Sequence, residues 1–287
     1  MEFQILGQLQ VVSAGRRLDL GGHKQRAVLA VLLLEANRPV PLDRIVDLLW
    51  DGRPPAQAAG TVRAYVSNLR RLLEPDRPPG APARVLASDA GGYALRIAPD
   101  QLDASRFESL VRSGREAVAA GEMAGGRTAF GDALALWRGP ALADFADEPF
   151  AWAEAARLEE CRLATVEEHA EAALACGDHH AVVPDLEALV AAHPLRERLR
   201  GQLMVALYRS GRQADALRVY EAGRRVLADE LGIDPSPALR DLERAVLDHD
   251  PALGGVRPPA GWSGGTASWA SFARSWPRPW VDGARSS

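Results

Sequence analysis

The stretch TVRAYVSNLRRLL, Thr61 to Leu73, holds the side chains best suited to meet a polyanion. Wound as a helix, it sets Val62, Val66, Leu69 and Leu73 at i, i+4, i+7 and i+11, one apolar stripe with Leu72 and Tyr65 at its edge. Arg63, Ser67, Asn68, Arg70 and Arg71 take the opposite arc, and no acidic residue interrupts it. An ordinary surface helix mixes signs on its polar face. Three guanidiniums beside two short hydrogen-bonding side chains suit a helix laid in a DNA major groove, where Arg serves phosphates or guanine edges and Asn or Ser reads nearby groups. A solvated face that merely lacks Asp and Glu has the same pattern, so the surrounding elements must decide.

Those elements are legible in order. Phe3, Ile5, Leu9 and Val11 alternate with Gln4, Gln8 and Gln10, which predicts a half-buried strand. Ser13-Ala14-Gly15 is a turn, and Arg17 to Leu20 should return as the hairpin partner. From Lys24 the pattern is helical, with Ala27, Val28, Val31, Leu32 and Leu34 apolar, until Asn37-Arg38-Pro39 stops it. A second helix is expected from Leu42 to Trp50, then a loop from Asp51 to Pro55, then the arginine-bearing helix, ended by Pro75. Arg84–Ser88 and Tyr93–Ile97 read as strands joined through Asp89-Ala90-Gly91-Gly92. Strands, three helices and a closing hairpin over residues 1–98 make a winged helix-turn-helix, whose third helix enters the major groove while the hairpin flanks the duplex.

Residues 99–250 read as helical and Ala-rich, after a short junction at Asp100–Asp103 that predicts a head packed on the body. A long helix is expected from Phe150 to Cys176. Gly177-Asp178 and Gly211-Arg212 lie 34 residues apart, and each opens a helix hairpin: 178–192 with 195–210, and 212–230 with 236–248. A 34-residue helical period is the tetratricopeptide signature. Gly121-Glu122 marks a possible degenerate earlier unit. Charge follows the same division. Residues 1–98 carry 13 Lys and Arg against 9 Asp and Glu; residues 99–250 carry 17 against 28, so a modestly basic head sits on an acidic body. The fold class is therefore mainly α: an N-terminal α+β winged helix, then an all-α tetratricopeptide-like domain.

HKQRAVLAVLLLEANRPVPLDRIVDLLWDGRPP (23–55), TVRAYVSNLRRLL (61–73) and GGYALRI (91–97) resemble the OmpR-type DNA-binding domain of the SARP regulators, the Streptomyces antibiotic regulatory proteins. LDASRFESLV (102–111), ALALWRGPALADF (133–145), AEAARLEECRL (153–163) and the run from His193 to Leu247 resemble the bacterial transcriptional activation domain of the same family. The resemblance implies an activator of an antibiotic biosynthetic gene cluster. Such a protein binds direct repeats of double-stranded DNA as a side-by-side homodimer and contacts RNA polymerase and its sigma factor. It implies DNA contacts from Thr61, Arg63, Tyr65, Ser67, Asn68, Arg70 and Arg71. Thr61 would be a backbone-phosphate contact or an ordinary N-cap, and Tyr65 leans toward packing. The loop from Asp51, with Gly52 and Arg53, stands where the family contacts polymerase, though a plain connector would look the same. Asp89 and Asn68 stand where relatives place Arg, so DNA contact is expected to rest on Arg63, Ser67, Arg70 and Arg71 more than on the wing.

Enzymatic chemistry finds no support in the residue patterns. G-x-x-x-x-G-K-S/T and H-E-x-x-H are absent. His169, Cys176, His179 and His180 fit no standard zinc spacing. No cofactor, metal or catalytic residue is expected, and no acidic phospho-acceptor domain is recognisable. Cys161 and Cys176, on one helix, lie too far apart to bridge, which points to a reducing compartment. With no signal-peptide pattern and no apolar run long enough to span a bilayer, a cytoplasmic, membrane-free protein is expected. Residues 251–287 are rich in Gly, Pro and Ser and read as a disordered tail. Four tryptophans there, Trp262, Trp269, Trp276 and Trp280, could instead form a docking stripe. A protein-binding scaffold whose winged helix has lost DNA affinity is the alternative function.

Overall fold

Alternation from Phe3 to Val11 does not produce one strand. In the computed structural model, which describes residues 1–78, 80–89 and 91–254, the chain reverses between β1 (Glu2–Gln4) and β2 (Gln10–Ser13), which pair antiparallel with Phe3 opposite Val11. β3 (Arg16–Arg17) adds to β2 and completes a three-stranded sheet. The reversal is favoured because residues 5–7 find backbone partners far along the chain. The Asp103 carboxylate accepts the Ile5 and Leu6 N–H groups at 2.8 and 3.0 Å. The carbonyls of Ile5, Leu6 and Gly7 accept the N–H groups of Leu142, Arg138 and Ala143. Ile5 and Leu9 are buried by this arrangement together with Leu6, which breaks the alternation, so the pattern marks burial and not pairing.

Three helices follow. α1 (His23–Leu34) is buried at Gln25 and from Ala27 through Leu33, nearly all round, as a central helix must be. α2 (Leu42–Trp50) turns Ile45, Val46 and Leu49 inward. α3 (Ala58–Leu73) buries Val62, Val66, Leu69 and Leu73, the expected stripe, and starts one turn earlier than expected. The wing, β5 (Leu86–Asp89) and β6 (Gly92–Leu95), forms a second antiparallel sheet in the order β4-β6-β5, with β4 being Val40–Pro41.

The chain falls into two units: Met1–Arg112 with Asp132–Leu163, and Ser113–Gly131 with the chain from Ala164 onward. The boundaries run through helices. α4 (Asp103–Ala119), α5 (Met123–Leu134) and α6 (Pro149–Cys176) each contribute to both. In the first unit, the residues following the head brace it. Arg138 Nη2 lies 3.4 Å from the Asp103 carboxylate, and Phe107 packs edge-on against Trp137 with centroids 5.4 Å apart. Burial pushes the Asp103 carboxyl above its ordinary value, against the pull of the two backbone N–H groups and Arg138. Arg26 of α1 pairs with Asp144 and donates to the Leu9 carbonyl at 3.2 Å. His23 and Lys24 converge on Glu148 at 2.8 and 3.4 Å.

The second unit contains the two helix hairpins, α7 (His179–Ala192) with α8 (Glu197–Arg209) and α9 (Gln213–Leu231) with α10 (Pro237–Leu247), close to the expected boundaries. The 34-residue period is a period of helix stops. At Gly177 and Gly211 the backbone turns left-handed (φ 90° and 74°). The glycine N–H then bonds three residues back and the next N–H five residues back, a Schellman ending. Gly121, at φ 86°, ends α4 in the same way. Leu186, Leu199, Leu203, Leu207, Tyr220 and Leu242 form the core between the hairpins. The tail expected from residue 251 begins as a short 3-10 turn, Pro251–Gly254, with Leu253 buried and its carbonyl bonded to Arg209 at 2.7 Å. The tryptophan segment lies outside the described residues. Among the described residues, no helix is long and apolar enough to cross a membrane, and no group of three or more His, Cys, Asp or Glu could hold a metal ion.

Candidate nucleic-acid interface

Helical phase alone orders the polar residues of α3. At about 100° per residue, Arg63 lies about 90° from the centre of the buried stripe, Ser67 and Asn68 about 130° on opposite sides, and Arg71 about 170°. Arg70 lies about 70° away, at the border. The side chains follow this order except at Asn68, which is covered despite its phase. Arg63, Ser67 and Arg71 are exposed, whereas Thr61, Tyr65, Asn68 and Arg70 are half-buried.

The half-buried set is engaged within the protein. Asn68 donates to the Gln25 side chain at 3.1 Å, and Gln25 in turn donates to the Leu20 carbonyl at 2.9 Å, so Asn68 ties α3 to α1. Arg71 donates to the Asn68 side-chain oxygen, Oδ1. Arg70 Nε donates to the Leu86 carbonyl and its Nη2 to Ser88 Oγ, both at 2.8 Å, and its guanidinium stands 5.5 Å from the centre of the Tyr93 ring. The expectation that Arg70 lies on the open arc is corrected: its fork is turned onto the wing. Thr61 is no N-cap either. The helix begins at Ala58 with Gln57 as cap, and Thr61 bonds the Gln57 carbonyl one turn back at 3.1 Å, while its backbone N–H bonds the same oxygen.

A cleft of about 310 Å³ opens beside Arg63, walled by Leu42 at the start of α2 and by Ser88, Asp89, Gly91, Gly92 and Tyr93 of the wing. The Asp89 carboxylate does not face it uncompensated, because Arg96 pairs with it at 2.7 Å. Close approach sets the wing against the helices. A Cβ on Gly92 would stand 2.0 Å from the Val40 carbonyl oxygen, so only glycine lets β6 pair with β4 here. Between α2 and α3, Asp51 and Gly52 both take left-handed backbone (φ 48° and 71°), and residues 51–57 are exposed.

Residues 102–247 match the family described as bacterial transcriptional activator domain, and residues 15–95 match the family described as transcriptional regulatory protein, C terminal. The regulatory protein DnrI of Streptomyces peucetius is 38% identical over 256 residues, 88% of this chain and 94% of DnrI. The chain belongs to the SARP family. Its other relatives include longer proteins. It is 44% identical to the regulatory protein AfsR of Streptomyces coelicolor over 254 residues but spans only 25% of AfsR. It is 42% identical to the transcriptional regulatory protein EmbR of Mycobacterium tuberculosis, 64% of which it covers. The solved structure of that EmbR in complex with a low-affinity phosphopeptide superposes with a TM-score of 0.82 over 87% of this chain and 65% of that one.

In this SARP the three-helix head and its wing lie in the segment that matches the transcriptional regulatory protein, C terminal, family, and the exposed face of α3 carries Arg63 and Arg71. Gln25, Ser88 and Arg96 leave no mark in the residue pattern. Gln25 sits in an apolar run, and nothing local predicts that its amide meets Asn68. Arg70 leaves one signal: its phase, at the rim of the buried stripe.

Proposed function

We propose that this chain is a sequence-specific, DNA-binding transcriptional activator in which residues 1–98 bind the duplex and residues 99–250 serve activation. α3 lies in the major groove with Arg63, Ser67 and Arg71 facing DNA, and the wing runs along the flanking backbone. The observation that supports this best is the exposure of those three side chains on an acid-free helix face beside a cleft walled by the wing. The head binds direct repeats as a side-by-side pair, the exposed loop at Asp51, Gly52 and Arg53 meets RNA polymerase or its sigma factor, and the genes controlled form a secondary-metabolite cluster. Family membership is what supports these finer assignments.

The experiment is selection of duplexes by the purified full chain, followed by affinity measurement at two salt concentrations. If Arg63 or Arg71 grips a phosphate, its replacement by Ala lowers the slope of log affinity against log salt by about 0.9. If it reads a base, the same replacement costs about 1–3 kcal/mol and relaxes sequence preference instead. Equal, weak binding to selected and random duplexes would leave the scaffold reading in its place.

A further inference from the structure

We propose that Arg70 is a positioning residue: the strut that fixes the wing to α3, rather than a contact to the duplex. The face of α3 carries three arginines, and only this one crosses to another element with its whole fork. Nε and Nη2 reach two acceptors on β5, the Leu86 carbonyl and Ser88 Oγ, both at 2.8 Å. The guanidinium lies over Tyr93 of β6. One side chain therefore touches both strands of the hairpin from the helix that would enter the groove. The two bonds run to residues two apart on one strand, which fixes the tilt of that strand as well as its distance.

Both acceptors lie in the paired part of the hairpin. Leu86 stands opposite Leu95 and Ser88 opposite Tyr93. The strut thus holds the hairpin at the pairs that define its register. Elsewhere the hairpin is held by Val40–Pro41 on β6, by the Asn37 N–H on the Leu95 carbonyl, by the Asp89–Arg96 pair within it, and just before β5 by Glu74, the C-cap of α3, whose Oε1 accepts the Arg84 and Val85 N–H groups at 2.8 and 3.3 Å. None of these bonds reaches the paired residues of β5 from α3. A duplex that receives α3 in its groove and the wing on its backbone requires a fixed distance between the two, and Arg70 supplies the link at the paired residues of β5, beyond the Glu74 bonds at its entry. A lysine cannot replace it: an ammonium keeps the charge but has neither the planar two-bond fork nor the face that stacks on tyrosine.

The inference rests in part on the DNA-binding reading, so its test has one arm with DNA and one without. The full chain is compared with Arg70→Lys and Arg70→Ala. Without DNA, both variants are expected to exchange the amide hydrogens of residues 86–89 and 92–96 about tenfold faster than wild type, with the exchange of α7 to α10 unchanged as a control for folding. With a selected duplex, both are expected to bind about tenfold more weakly at a salt slope equal to that of wild type. Wild-type affinity in Arg70→Lys together with a shallower slope in Arg70→Ala would identify a direct phosphate contact and overturn the proposal. Unchanged wing exchange in both variants would overturn it as well. A wild-type chain that binds no duplex would instead refute the DNA-binding reading, and the exchange arm alone would then decide the strut.

Discussion

The N-terminal sheet and the wing are the same size and equally antiparallel, yet they are anchored differently. β1 and β2 are held by buried, backbone-directed bonds to residues about a hundred or more positions away: Asp103, Arg138, Leu142 and Ala143. The wing buries Leu86, Ala94 and Leu95 but is held by partners nearer in the chain and closer to its surface: the Arg70 guanidinium, the Glu74 carboxylate on the Arg84 and Val85 N–H groups, the Asn37 N–H on the Leu95 carbonyl, and a close glycine contact. A bond made where water is excluded cannot be exchanged for a water contact, so loss of the first kind is costly. A solvent-edge contact yields at less cost and can adjust to a partner. The contrast separates a sheet that binds the head to the rest of its unit from a sheet poised to meet something outside it.

The sharpest way to break this comparison is Asp103→Ala. It strands the Ile5 and Leu6 N–H groups in a buried setting and releases Arg138, and the expected loss is about 3 kcal/mol of unfolding free energy. Denaturant melts with an unchanged midpoint would show that the N-terminal sheet does not depend on its bracket. Next in size is Gly92→Ala. Its new Cβ collides with the Val40 backbone, 2.0 Å from the carbonyl oxygen and 2.6 Å from the carbonyl carbon, and β4 must part from β6 at a cost of about 2 kcal/mol. DNA affinity should fall by more than that stability loss alone explains, as measured by titration well below the melting temperature. Full affinity in this variant would mean that the wing tolerates displacement and needs no fixed seat.

Much of this architecture is readable from residue order. The stripe Val62, Val66, Leu69, Leu73 appears as expected because a helix with one buried face leaves period 3.6 in its sequence. The repeat hairpins appear because Gly177 and Gly211 are both the stop signal and the stop. What residue order hides is set by distant partners. Phe3 to Val11 alternates as one strand would, but the chain reverses because Asp103, Arg138, Leu142 and Ala143 take up the backbone groups of residues 5–7. In the candidate interface, type and spacing find the helix and its exposed Arg63, Ser67 and Arg71. They do not reveal that Asn68 is bonded to Gln25 or Arg70 to Leu86 and Ser88, since those partners lie 16 to 43 residues away and have no periodic signature.

The smallest effect sharpens the comparison at its solvent edge, where the bracket reaches α1 through Glu148. Burial alone would raise the pKa of this carboxyl, but the bonds from His23 and Lys24 outweigh it and hold the group below its ordinary 4.5. Because the folded value is the lower one, the stabilisation is complete above the unfolded value and is lost as pH falls from about 4.5 through the folded value. The pair is partly solvated, with Glu148 20% and Lys24 35% exposed, so its contribution is about 0.5–1 kcal/mol. Glu148→Gln should therefore be less stable than wild type by that amount at pH 7 and equal to it once the wild-type carboxylate is protonated, in urea melts of the two proteins side by side. A difference that persists at low pH would assign the loss to packing of the side chain, and the bracket would then be steric at its edge rather than electrostatic.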